Sequence, residues 1–186
     1  MRKSLEVSNA NSASVAPSIT SVPSARINTR KIAILAADGV DSKQLCAMQA
    51  ALTEAGASSE IVAPRDGVIK ADNGSELRVD HSLKNAASVL FDALYLPGGA
   101  VSVQRLSREP DALAFVQETF KHCKAIAASD AAVVLVRSCL AVQRESDPGL
   151  VLLQKATARA TAEAFIAAVQ HRHSAREPLV RVRKVA

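Results

Sequence analysis

Lys124-Ala125-Ile126-Ala127-Ala128-Ser129-Asp130-Ala131-Ala132-Val133-Val134-Leu135 is an apolar run that ends in two small polar residues and restarts at once as a second apolar run. The pattern predicts a buried strand, a tight turn at Ser129-Asp130 and a helix that begins without a linker. A turn of this kind lifts one side chain to the carboxyl end of a sheet, where α/β proteins place a nucleophile. Here that side chain belongs to Asp130 or to Ser129, and neither is a cysteine.

Upstream of this stretch the same grammar repeats. Ile32-Ala33-Ile34-Leu35-Ala36 is continuously apolar, as expected of a strand covered on both faces. Asp38-Gly39 turns the chain, and Asp41 or Ser42 can cap a helix whose stripe is Leu45, Met48, Leu52 and Ala55, closed by Gly56. Cys46 lies beside this stripe and is expected in the packing. Ile61-Val62-Ala63 reads as a strand, and Val68–Lys70 with Leu77–Val79 flank Asp72-Asn73-Gly74, a hairpin signal. Phe91–Leu96 is a further buried strand ending in Pro97-Gly98-Gly99, where the glycines let the backbone approach a ligand or a neighbouring turn. Pro110 opens a helix with Leu113, Val116 and Phe120 on one side. Downstream come Leu150–Leu153 as a strand and a last helix carrying Ala162, Phe165, Ile166 and Val169. Strands alternating with helices imply an α/β fold with a mainly parallel sheet.

The 186 residues allow one domain and a tail. Residues 1–30, rich in Ser, Asn and Pro, have too little apolar surface to offset the ordering entropy and are expected to be a disordered linker; residues 31–186 are the domain. The net charge of +5 sits at the ends: residues 1–30 carry +3, residues 171–186 carry +4, and the 140 residues between carry −2. A basic nucleic-acid groove is therefore not expected, and with no Trp and one Tyr neither is a base-stacking platform. No apolar run has membrane-spanning length, and no apolar h-region follows Arg2-Lys3, so neither a membrane anchor nor a secretory signal is expected. Cys46, Cys123 and Cys139 form no CxxC pair and leave an odd count, which fits a reduced, cytoplasmic location and no structural metal.

The order of Lys31-Ile32-Ala33-Ile34-Leu35, Asp38-Gly39-Val40-Asp41, Tyr95-Leu96-Pro97-Gly98-Gly99 and Lys124-Ala125-Ile126-Ala127-Ala128 resembles the DJ-1/PfpI (class I glutamine amidotransferase-like) superfamily. Within it, the missing cysteine and Gly67-Val68-Ile69-Lys70-Ala71-Asp72-Asn73-Gly74 resemble the carboxyl-terminal domain of large-subunit haem catalases. The resemblance implies a flavodoxin-like three-layer sandwich. It implies an elbow at Asp130, or at Ser129 if the register slips by one, with the superfamily's carboxylate position at Asp41. It also implies a backbone anion site at Gly98 and Gly99. Two carboxylates so placed would repel the anion that a thiolate site stabilises, so thiol chemistry is excluded there.

Ser129 as a nucleophile needs a base within hydrogen-bond reach. His122, the nearest histidine in sequence, ends the preceding helix and so lies at the start of the strand, roughly 15 Å from the elbow. It is better read as a helix C-terminal residue favoured by the dipole. His171 and His173 are expected on a solvated helix end, and His81 has no visible partner.

Two functions follow from the resemblance. The first is a non-catalytic structural and stability domain, not an enzyme by itself. Its parent removes hydrogen peroxide at a haem outside this chain, and its partners are the parent's catalase-like core and further copies of that parent. Tyr95, the single tyrosine, lies in a strand that must be buried and is not expected to ligate haem. The second is a stress protein with chaperone-like, or small-molecule hydrolase or amidotransferase-like, activity using Ser129 or Asp130 with Asp41. The elbow residue favours the first.

Overall fold

A computed structural model describes residues 27–140, 147–171, 173 and 176. Six strands form one parallel sheet: β1 (Lys31–Leu35), β2 (Ser58–Ala63), β5 (His81–Ser82), β6 (Ala93–Leu96), β7 (Ala125–Ser129) and β8 (Leu150–Leu153), in the order β5-β2-β1-β6-β7-β8. β3 (Val68–Lys70) and β4 (Glu76–Arg78) make the antiparallel hairpin that Asp72-Asn73-Gly74 announces. The five α-helices among the described residues are α1 (Ser42–Glu54), α2 (Ala100–Leu106), α3 (Pro110–Lys121), α4 (Ala131–Leu140) and α5 (Ala158–Val169).

The continuous apolar strands are explained by what covers them. Side chains alternate across a strand. Ile32 and Ile34 of β1, Ala93 and Tyr95 of β6, and Ala125 and Ala127 of β7 face a layer built on Leu45, Met48 and Leu52 of α1 and Phe165 of α5. Ala33, Leu35, Leu94, Leu96, Ile126 and Ala128 face the opposite layer, with Leu106, Phe115, Val116, Val133 and Val136 of α2 to α4. The result is a three-layer, flavodoxin-like α/β sandwich. From β1 the chain steps to β2 on one side, and from β6 through β7 to β8 on the other. The carboxyl ends of β1 and β6 therefore flank a topological switch point, where open α/β sheets place their sites.

The structure corrects several expectations. Most of the expected linker lies outside the described residues, but its last four residues are folded: Ile27 is buried, and the Ile27 and Thr29 amides donate to the Ala55 and Gly56 carbonyls. Cys46 is exposed, about 100° round the helix from Leu45, rather than packed. α3 buries Ala112, Phe115, Val116 and Thr119, one step round from the expected stripe. α2, unexpected from the sequence, has only seven residues, and its N-cap, Gly99, offers no side-chain cap.

Candidate functional site

The predicted elbow is present. β7 ends at Ser129, α4 starts at Ala131, and Asp130 between them has φ 47°, the left-handed region that short polar side chains enter most readily. The conformation costs about 1–2 kcal/mol in a residue with a Cβ, so something must hold it. Four contacts do. The Asp130 amide donates to the Leu153 carbonyl at 3.0 Å. Oδ1 accepts from the Lys155 amide at 2.7 Å, and Oδ2 accepts from Gln44 Nε2 at 2.5 Å. Gln44 is fixed in turn by the Gly98 amide, which donates to Gln44 Oε1 at 2.8 Å. One carboxylate and one amide thus lace together the loops that follow β1, β6, β7 and β8.

The partner reaching the elbow from α1 is Gln44, not Asp41. Asp41 is the helix N-cap, its Oδ1 accepting from the Gln44 amide at 2.9 Å, while its own amide donates to the Gly98 carbonyl at 3.0 Å. Asp41-x-x-Gln44 has the spacing of a capping box, in which the third residue's side chain reaches back to the cap's amide. Here Gly98 takes that amide, and Gln44 is released to face the elbow. The spacing was the only sequence signal for Gln44, and it points to the wrong bond.

Ser129 is the other elbow candidate. It is buried, with its hydroxyl 3.0 Å from the Tyr95 hydroxyl beneath the turn. Burial pushes the Tyr95 phenol up to about 12; the hydrogen bond with Ser129 pulls the other way, and the nearby Asp41 and Asp130 charges add to the rise. No histidine reaches Ser129 among the described residues' hydrogen bonds. His122 closes α3 near Glu118, His81 pairs with Glu60 at 2.9 Å, and His173 is engaged at the opposite end of the sheet.

The glycines serve the fold. Gly99 has φ 107°, and a Cβ there would lie 2.4 Å from the Gly39 carbonyl oxygen and 2.8 Å from the Asp41 amide. Close approach of the β1–α1 loop, not of a ligand, demands this glycine. At Gly98 the amide expected to hold an anion is already spent on Gln44. Beside the elbow, the hairpin packs on the same loop: Gly39 donates to the Lys70 carbonyl, the Lys70 amide to Asp38, and the Ser42 amide to Asp72. The Ser42 amide first, then the Ser42 hydroxyl and the Asn73 and Asp72 amides, hold the Asp72 carboxyl below its usual range against the opposing effect of burial. An open groove of about 430 Å³ lies between hairpin and α2, lined by Val68, Lys70, Glu76 and Val101 and by the Asp38–Arg105 ion pair. None of Gln44, Gly98 and Asp130 lines it. Among the described residues no cluster of His, Cys, Asp and Glu could hold a metal ion, and no helix is long and apolar enough to cross a membrane.

The three-layer sandwich superposes on solved structures of DJ-1/PfpI-like proteins. A ThiJ/PfpI domain protein from Brachyspira murdochii superposes with a TM-score of 0.66 at 15% identity, over 77% of this chain and 98% of that one. Schizosaccharomyces pombe DJ-1 superposes with a TM-score of 0.63 at 18% identity, over 84% and 99%. Identity this low establishes the fold alone. The family description that matches, over residues 28–178, is that of the C-terminal domain found in long catalases, and the chain belongs to that family. Catalase HPII of Pseudomonas aeruginosa is 37% identical over 132 residues, covering 70% of this chain and 18% of that protein. Catalase-1 of Neurospora crassa is 33% identical over 174 residues, covering 81% and 24%. The chain thus spans about a fifth of the length of these relatives.

Proposed function

We propose that this chain is a non-catalytic stability module of a long catalase, whose peroxide chemistry takes place at a haem in a separate core. The observation that carries this reading is Asp130. At the position where the fold presents a nucleophile, both carboxylate oxygens are tied to Gln44 and to the Lys155 amide. A carboxylate held at both oxygens in this way is oriented towards its neighbouring loops and is not presented as a free nucleophile. Gly98 offers no spare donor to a developing oxyanion, because its amide is already bonded to Gln44.

Neither Tyr95 nor the buried His173 is placed to ligate a haem. Tyr95, the one tyrosine, is buried within β6 and bonded to Ser129, and His173 spends Nε2 on the Ala168 carbonyl. In this reading the residues before Ile27 act as a tether, by their Ser, Asn and Pro content. A tether raises the local concentration of the domain at its docking face, so even a weak interface on the core stays occupied. The assembly partners are then the catalase core and, through it, further copies of the parent, in the cytoplasm.

Two measurements test this. The purified chain, incubated with haem and then peroxide, should develop no Soret band and release no oxygen; stoichiometric haem binding with turnover would overturn the reading. Deleting residues 27–186 from the full-length parent should lower its thermal stability or change its assembly. If the truncated parent keeps both, while the isolated chain suppresses aggregation of unrelated proteins, a chaperone-like role replaces the structural one.

A further inference from the structure

At the opposite end of the sheet from the elbow lies a buried charged cluster that the elbow does not use. Arg176 is 2% exposed. Its Nε and Nη2 donate to the two carboxylate oxygens of Asp147 at 2.6 and 2.8 Å, and its Nη1 donates to the Lys124 carbonyl at 2.6 Å. The guanidinium lies 4.6 Å from the centre of the Phe120 ring. A bidentate pair completed by a carbonyl and an aromatic face is the geometry in which a buried arginine is tolerated.

His173 is the second member. It is 8% exposed, its amide donates to the Cys123 carbonyl at 3.0 Å, and its Nε2 donates to the Ala168 carbonyl at 3.0 Å. Gly149 makes room for both: a Cβ there would lie 2.1 Å from Arg176 Nη2 and 2.4 Å from the His173 ring. We propose that His173, Arg176 and Asp147 form an acid-sensitive latch, holding His173 and Arg176 against the bases of β7 and β8 at neutral pH and releasing them when His173 gains a proton.

The charges around the ring decide the sign. Nε2 carries the hydrogen given to Ala168, so a second proton goes to Nδ1. Burial disfavours the cation, the Ala168 carbonyl favours it, Arg176 opposes it, Asp147 favours it and the exposed His171 opposes it; the net effect holds His173 below the usual histidine range. Lys124 adds little, because its ammonium is turned to the Ser88 and Phe91 carbonyls. Glu118, Lys121 and His122, at the end of α3, are paired among themselves on the exposed side. A histidine with a lowered folded value binds its proton more readily once released. The latch is therefore fully closed above about pH 6.5 and loosens as pH falls towards the lowered value.

Hydrogen exchange at the His173 amide, on the full 186-residue chain and corrected for the intrinsic pH dependence, tests the latch directly. Protection should fall between pH 7.5 and pH 5, by up to about tenfold for each pKa unit of depression. His173→Gln keeps a donor for Ala168 but cannot titrate, so its protection should be flat over the same range. Asp147→Asn should show fast exchange at both pH values while the amides of β1 and β6 stay protected. Constant wild-type protection, or an unaltered pH dependence in His173→Gln, would overturn the proposal. So would an Asp147→Asn chain that keeps wild-type protection at His173.

Discussion

The two ends of the parallel sheet are held in different ways. At the carboxyl end, Asp130 is held by neutral donors, the Gln44 amide and the Lys155 backbone, at a half-buried turn. At the amino end, Arg176 and Asp147 form an ion pair with side-chain exposures of 2% and 15%. The upper arrangement leaves a negative charge near water and asks only for geometry. The lower one takes both charges out of water and survives on complete pairing. Removing one partner should therefore cost far more below than above.

The largest effect is expected from Arg176→Met. Asp147 would be left as a desolvated carboxylate. In the intact chain burial works to raise its pKa, while the Arg176 hydrogen bonds, the Gly149 amide and the Arg176 charge outweigh burial and hold it below its usual range. We expect a loss of about 3–5 kcal/mol in urea unfolding at pH 7. Because the Asp147 value is depressed in the fold, the stability it contributes is present above the normal carboxylate range and is lost as pH falls through the lowered value. The gap between wild type and Arg176→Met should then narrow towards strong acid. A loss at pH 7 smaller than that of the elbow variants would reverse the comparison.

Asp130→Ala comes next, at about 2–3 kcal/mol. It removes two charge-assisted hydrogen bonds, leaves an alanine in the left-handed region and frees Gln44. Gln44→Glu sharpens the same point by keeping the shape and changing the charge. It sets a carboxylate against Asp130, so at least one of the pair has its folded pKa raised. A raised carboxylate value penalises the fold above that value, and the penalty fades as pH falls through it. Gln44→Glu should therefore be destabilised at pH 7 and recover towards wild type near pH 4–5 in the same assay. Equal deficits at both pH values would mean that Gln44 does not touch the elbow.

How much of this was legible in sequence depends on the range of each interaction. The buried strands, the hairpin and the elbow are local patterns, and Lys124–Leu135 alone predicts β7, the turn and the start of α4. Gln44 was hidden because its role joins segments 54 and 86 residues away, to Gly98 and Asp130, while its local spacing suggests an ordinary cap. Arg176 was hidden for the same reason. In composition it counts as one more basic residue in a charged tail, and only the fold brings Asp147, 29 residues away, against it. His173 was assigned to a solvated helix end by its polar neighbours, yet it is buried.

The smallest effect separates the two candidate elbow residues. Tyr95 and Ser129 share one buried hydrogen bond beneath the turn, so Tyr95→Phe should cost about 1 kcal/mol and leave the elbow geometry intact. The wild-type chain offers a sharper readout, because Tyr95 is its only tyrosine and its ultraviolet ionisation reports a single site. Burial pushes that phenol up to about 12 in the fold, against an ordinary value of 10. The unfolded chain gives up the proton first, so stability is unaffected below about pH 9 and falls as pH rises above 10. In Ser129→Ala the bond that pulls the phenol down is gone, while the burial and the Asp41 and Asp130 charges that push it up remain. The ionisation midpoint should therefore move higher still. In Asp130→Ala one of the charges that raises it is absent, and the midpoint should move lower. A midpoint near 10 in the folded wild-type chain would mean that Tyr95 is open to water and not buried beneath the elbow.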